Sequence, residues 1–173
     1  MTTTRGATQF VSEQSGKDLI VAEVGVRSGK HALTMLNSLD IKELYLIDHF
    51  LPYVDGTIRV EQSMQNKCYK LMFNNLIRHF SKMMFITRPS EFAATLFPDK
   101  FFDFVYIDSD HKYNAVKSDI KSWYPKVKNG GYLGGHDYRI VPLPGVVMAV
   151  DEFLEEYNKL VISFEGRDWL IRK

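Results

Sequence analysis

The chain has 173 residues, 45% of them hydrophobic, and 22 Lys+Arg against 21 Asp+Glu for a net charge of +1. That length predicts one domain with a sizeable core, and the near-zero charge argues against nucleic acid or an anionic membrane as a partner. The single cysteine, Cys68, excludes an internal disulfide and gives no zinc spacing. No apolar run approaches 18 residues and residues 1–18 hold no signal-peptide core, so the expectation is a cytoplasmic protein.

Residues 1–18 are rich in Thr, Ser, Gly and Gln and read as a tail with at most a short helical turn, leaving 19–173 as the core. The first strand is Leu19–Val24, a nearly continuous apolar run of the kind covered on both faces of a sheet. It ends in Glu23-Val-Gly25-Val26-Arg-Ser-Gly29, where Gly25 suits a tight turn. A helix with Ala32, Leu33, Leu36 and Leu39 on one face follows, then the strand Leu44–Ile47, ending at Asp48. Asp48 follows Gly25 by close to the roughly 20 residues that place a carboxylate on ribose hydroxyls.

Residues 49–60 read as a loop carrying His49, Phe50, Pro52, Tyr53 and Gly56, a natural substrate lip. The spacing of Met64, Cys68, Leu71, Met72, Leu76 and Phe80 predicts a helix over 61–80 with those residues turned to the core. Met83–Thr87 is the third strand, with Ser90 placed to N-cap a short helix over 91–97. Phe101–Ile107 is the fourth. A helix over about 112–127 presents Val116, Ile120, Trp123 and Val127 and stops at Asn129-Gly130-Gly131.

Tyr132–Gly135 is the fifth strand, and residues 138–145, with Pro142, Pro144 and Gly145, form another loop at the same edge. A helix over 146–158 leads to Leu160–Phe164 and Asp168–Ile171, two strands joined by a tight turn at Glu165-Gly166. Strands alternating with helices predict an α/β, mainly parallel, doubly wound sheet.

Ligands bind such sheets at the carboxyl ends of the strands. Asp108, Asp110 and His111 follow the fourth strand, and His136 and Asp137 follow the fifth, so the five converge. Asp110 suits a cap for the helix beginning near Lys112, Asp119 within that helix reads as a solvated charge, and Tyr113 and Tyr138 border the group.

Glu23-x-Gly25-x-x-x-Gly29, Asp48, Asp-Phe-Val-Tyr-Ile-Asp108-Ser-Asp-His111 and Gly-Gly-x-Leu-Gly-Gly-His-Asp137-Tyr together resemble class I S-adenosylmethionine-dependent methyltransferases. The likeness is to the small-molecule O-methyltransferases grouped with macrocin-type sugar methyltransferases and cephalosporin-hydroxylase-like proteins, over about residues 19–158. It implies a Rossmann-like sheet of seven strands, order 3-2-1-4-5-7-6, with the last strand antiparallel.

The resemblance implies S-adenosylmethionine as cofactor. Glu23, Gly25, Val26 and Gly29 would lie against its methionine part, Asp48 with neighbouring His49 at the ribose, Ser90 beside the adenine, and Asp108 near the sulfonium. It also implies a divalent metal, Mg2+ or another, on Asp108, His136 and Asp137. His136 stands where such relatives carry an acid, and an imidazole suits manganese, iron or zinc better than magnesium. The same resemblance makes His111 the general base and Asp108 its catalytic companion.

The implied function is O-methylation of a small-molecule or sugar hydroxyl, with a possible homodimer supplying the acceptor's cover, since few residues precede the first strand. The alternatives are a methyltransferase-like protein that binds the cofactor without catalysis and a nucleotide-dependent oxidoreductase. Val26 and Arg27 between the two glycines depart from Gly-x-Gly-x-x-Gly and argue against the oxidoreductase.

Overall fold

The computed structural model of the chain describes residues 4–55, 58–139, 143–164 and 167–173. Its sheet strands are β1 (Leu19–Val24), β2 (Ile41–Ile47), β5 (Met83–Ile86), β6 (Phe102–Ile107), β7 (Val127–Gly135), β8 (Ile162–Ser163) and β9 (Trp169–Arg172). A separate hairpin is formed by β3 (Tyr53–Asp55) and β4 (Ile58–Val60). The helices are α1 (Gly6–Gln14), α2 (Lys30–Ser38), α3 (Gln62–Leu76), α4 (Ser90–Ala94), α5 (Tyr113–Trp123) and α6 (Pro144–Tyr157).

The seven-stranded sheet runs β5-β2-β1-β6-β7-β9-β8. Counted along the chain, that is the 3-2-1-4-5-7-6 order implied by the resemblance. The pairs β2–β5, β1–β2, β1–β6 and β6–β7 are parallel, and β9 is antiparallel to both β7 and β8. The central strands β1 and β6 are buried along nearly their whole length, as their nearly continuous apolar runs require.

Two cores cover the two faces. One gathers Trp123, Phe102, Val105, Val150 and Phe153 beneath α4, α5 and α6. The other gathers Leu44, Leu46, Met35, Met72 and Phe104 beneath α1, α2 and α3. Each fully buried large apolar side chain contributes about 1.5–3 kcal/mol, so the sheet's carboxyl edge rests on a rigid base.

Four expectations are corrected. The stretch read as a tail holds the nine-residue helix α1, with Ala7 and Val11 fully buried, because its few apolar residues share one face. Met64, Leu71 and Phe80 are exposed; the buried face of α3 is Gln65, Cys68, Met72 and Leu76, one position away from the Met64–Leu71 line. α5 ends at Trp123, because Pro125 has no N–H to continue the helical ladder. A 3-10 turn over Tyr124–Lys126 then hands Val127 to β7, so Gly130 and Gly131 lie in the strand.

The fourth correction is Asp119, which is buried, because it lies one turn from both Val116 and Trp123 on the packed side of α5. Part of the 49–60 loop forms the β3–β4 hairpin. Gly56, Pro142 and the Glu165-Gly166 turn lie outside the described residues.

Candidate active site

The parallel ladder places the functional residues in a row. Val24 pairs with both Ile47 and Ile107, and Ile107 pairs with Gly135. One residue beyond, Gly25 N donates to Ile47 O, Asp108 N to Val24 O and His136 N to Ile107 O. Asp48, Gly25, Asp108 and His136 therefore stand side by side at the carboxyl edge.

On the β1–β2 half the backbone is tightly held. Gly25 has φ +89°, and a Cβ there would lie 2.1 Å from the carbonyl oxygen of Asp108. Only glycine satisfies both constraints. Asp48 Oδ2 accepts hydrogen bonds from Val26 N (3.0 Å) and Arg27 N (2.9 Å), and its Oδ1 accepts one from Phe50 N (2.9 Å). The acid expected at the ribose thus pins the glycine loop. His49 is exposed and its Nδ1 accepts a hydrogen bond from Leu51 N. Gly29 adopts the left-handed conformation and caps the start of α2.

Beneath this loop lies a polar chain absent from the sequence reading. Thr8 Oγ1 is 2.9 Å from His31 Nε2, and His31 Nδ1 is 3.0 Å from Glu23 Oε1. All three are buried. Burial, with the Arg5 charge next in size, pushes His31 down to about 3, so its ring is neutral at neutral pH. Burial and then Asp108 push Glu23 well above the usual carboxylate range. Glu23 Oε2 has no hydrogen-bond partner among the described residues. A buried carboxylate oxygen in that state is costly unless a ligand's N–H or charge meets it.

The β6–β7 half is a cluster of side-chain charge. His111 Nε2 is 2.8 Å from Asp137 Oδ2, and His136 Nδ1 is 3.1 Å from Asp137 Oδ1. Burial opposes the Asp137 charge, but the hydrogen bonds from His111 and His136 outweigh it and hold its pKa below the usual range. With Asp137 ionised, His111 Nε2 is the donor of this pair. His136 also lies 3.8 Å from Asp108 Oδ1 and 4.0 Å from Asp168 Oδ1.

Asp108, His111 and Asp137 each offer a ligand atom within 4.8 Å of the others. In that triplet His111 takes the place expected for His136. Two carboxylates and an imidazole fit manganese, iron or zinc better than magnesium.

Arg5, from the supposed tail, completes the cluster. Its Nη1 donates to Asp108 Oδ2 (2.8 Å) and to the Tyr106 hydroxyl (2.9 Å). Burial disfavours the guanidinium charge, yet Asp108 and Tyr106 more than offset this and raise its pKa. Tyr106 donates to Asp168 Oδ1 (2.8 Å), and Asp168 Oδ2 accepts from Ala7 N (2.9 Å) at the start of α1.

The remaining candidates are hydrogen-bonded outside this cluster. Ser90 is the first residue of α4, whose N-cap is Pro89, so the expected cap is corrected. Its hydroxyl instead accepts from Trp123 Nε1 (2.8 Å), and Ser109 Oγ donates to buried Asp119 (2.5 Å). Burial raises the Asp119 pKa against the hydrogen bonds from Ser109 and Ser90. Asp110 Oδ1 accepts from Lys112 N just before α5. Tyr113 and Tyr138 bond to Glu152 and Asp151 of α6. Lys112 Nζ donates to Val54 O (2.6 Å), tying the β3–β4 hairpin to the loop after β6.

A family described as a methyltransferase domain matches residues 22–138, two strand-end halves included. The chain belongs to that methyltransferase family. The family implies S-adenosylmethionine as cofactor. A protein of Acanthamoeba polyphaga mimivirus described as uncharacterized protein R132 is 30% identical over 127 residues. That match covers 70% of this chain, and the chain spans about half (52%) of that relative's length.

Among solved structures, a Corynebacterium glutamicum protein superposes with a TM-score of 0.70 at 15% identity, covering 96% of this methyltransferase chain and 78% of the other. The O-methyltransferase NovP gives 0.64 at 18%, covering 96% and 76%. An rRNA methylase from Streptococcus thermophilus gives 0.60 at 13%, covering 95% and 90%. Such distant likenesses establish the fold and leave the acceptor open. No helix among the described residues is long and apolar enough to cross a membrane.

Proposed function

We propose that this methyltransferase moves a methyl group from S-adenosylmethionine to the hydroxyl oxygen of a small molecule or sugar. The observation that carries the reading is the pairing of His111 with ionised Asp137 beside Asp108, one strand away from the glycine loop. The bound cofactor supplies a methyl group on a sulfonium, open to attack by an oxygen nucleophile.

The chain's residues do the rest. Glu23 Oε2, buried and without a partner among the described residues, is suited to the cofactor's α-ammonium group. Gly25 and Gly29 let the loop pack against Asp108 and α3, with Val26 between them, and this loop would lie along the cofactor's methionine part. Asp48 keeps that loop in shape through three backbone N–H groups and leaves lone pairs for a ribose hydroxyl. His49 and Ser90 flank this half.

Asp137 orients the His111 ring and favours the protonated form that arises when the imidazole takes the acceptor's hydroxyl proton. Asp108 and Asp137, with His136 alongside, would hold a divalent cation, whose chemistry there is to acidify and orient the hydroxyl while His111 keeps the role of base. The hairpin tied down by Lys112 borders the acceptor, and a second copy of the chain could complete its cover.

The test is transfer of labelled methyl to a panel of sugars and hydroxylated small molecules, with and without manganese. Labelled product from a hydroxyl acceptor, lost in His111→Ala, supports the reading. Transfer only to RNA, matching the rRNA methylase named above, would redirect it.

A further inference from the structure

The metal-binding triplet already has a cation on it. Asp108 is the one carboxylate common to the triplet and to the Arg5 ion pair, and Arg5 Nη1 contacts its Oδ2 at 2.8 Å. Neither partner is freely solvated: the two side chains are 27% and 20% exposed. Around them stand Glu23, Asp48, Asp137 and Asp168, so Arg5 supplies positive charge to a strongly acidic edge.

The pairing is built rather than incidental. Arg5 is the N-cap residue of α1, and that helix is anchored by Ala7 N on Asp168 and by Thr8 on His31. Tyr106 links the Asp168 anchor to Arg5 by donating to Asp168 while accepting from Arg5. Docking of α1 therefore delivers the guanidinium to Asp108.

We propose that Arg5 is a resident counter-cation that competes with a divalent ion for Asp108, so that metal loading requires the Arg5 side chain to leave. This rests on the metal-assisted reading above and goes beyond it, because it makes the N-terminal helix a determinant of metal affinity. A guanidinium and a divalent ion sharing one carboxylate repel each other, and the coupling is reciprocal: metal weakens Arg5 docking by the same factor by which docked Arg5 weakens metal binding.

The experiment is manganese titration followed by electron paramagnetic resonance on the full chain, for wild type, Arg5→Met and Arg27→Met. Arg5→Met is expected to bind manganese about tenfold more tightly, within the usual range of site-to-site coupling. Arg27→Met, which removes an exposed charge from the glycine loop, is expected to stay within about twofold of wild type. In wild type, manganese is also expected to speed amide exchange at Gly6 and Ala7 as the Arg5 latch opens.

Equal affinity of wild type and Arg5→Met overturns the proposal. So does equal tightening in Arg27→Met, which would mean general charge rather than competition. Absence of manganese binding to every protein also overturns it, and calorimetry with S-adenosylmethionine then decides separately whether the cofactor reading stands. A thermal melt of Arg5→Met guards against loss of the fold.

Discussion

The two halves of the carboxyl edge use their acids in opposite ways. On the β1–β2 half, Asp48 is committed to backbone N–H groups, Gly25 is pressed against Asp108, and Glu23 is sealed in with a neutral histidine. On the β6–β7 half, partly exposed Asp108 and buried Asp137 meet charged or titratable side chains, Arg5, His111 and His136. A backbone-held half is suited to bind one ligand shape. A side-chain-held half is suited to move protons and cations. Methyl transfer needs one of each: a fixed donor and an acceptor that loses a proton.

The comparison breaks hardest at Gly25. Gly25→Ala places a Cβ 2.1 Å from a backbone oxygen at φ +89°, at a cost of about 3 kcal/mol or more. Thermal denaturation should show a large loss, with donor binding abolished. A wild-type melting curve would mean that the loop is looser than described.

Next is His111→Ala, which should lower turnover by roughly 10²–10⁴-fold. Donor affinity measured by calorimetry should stay near wild type. A parallel loss of both would erase the division between the halves.

Asp48→Ala removes the acceptor for three backbone N–H groups and should cost about 1–3 kcal/mol. Chemical denaturation reads the stability, and manganese affinity should not change.

A smaller effect distinguishes the buried histidine from the exposed ones. His31 has a depressed pKa in the folded chain, about 3, against about 6.5 unfolded. The unfolded state therefore binds the extra proton first. Stability from neutral His31 is fully present above pH 6.5 and is lost as pH falls toward 3. Relative to His31→Gln, the wild type should lose about 1 kcal/mol per pH unit across that window. A flat difference between the two denaturation series would contradict this placement of His31.

The strands and the row of strand ends were legible in the sequence, because apolar runs, glycine turns and terminal acids are local signals, whereas the strand order followed from the family resemblance. Asp108, His111, His136 and Asp137 do meet. Arg5 was not legible: its partner lies 103 residues away, and no periodicity marks a single arginine in a polar stretch. His31 was equally hidden, although its position two residues after Gly29, in the first turn of α2, is a signal that could have found it. Asp119 and Gln65 show the limit of apolar counting, since each is a polar residue on a buried helix face held by a hydrogen bond. Ser90 could be read as a helix cap by position, but the Trp123 N–H competes for its hydroxyl.

The most direct measurement is calorimetric titration of the chain with S-adenosylhomocysteine, with NAD as the comparison ligand. The account predicts saturable binding of one S-adenosylhomocysteine per chain, retained in His111→Ala and lost in Gly25→Ala, and no binding of NAD. Absence of S-adenosylhomocysteine binding to the wild type, or binding of NAD in its place, would contradict it.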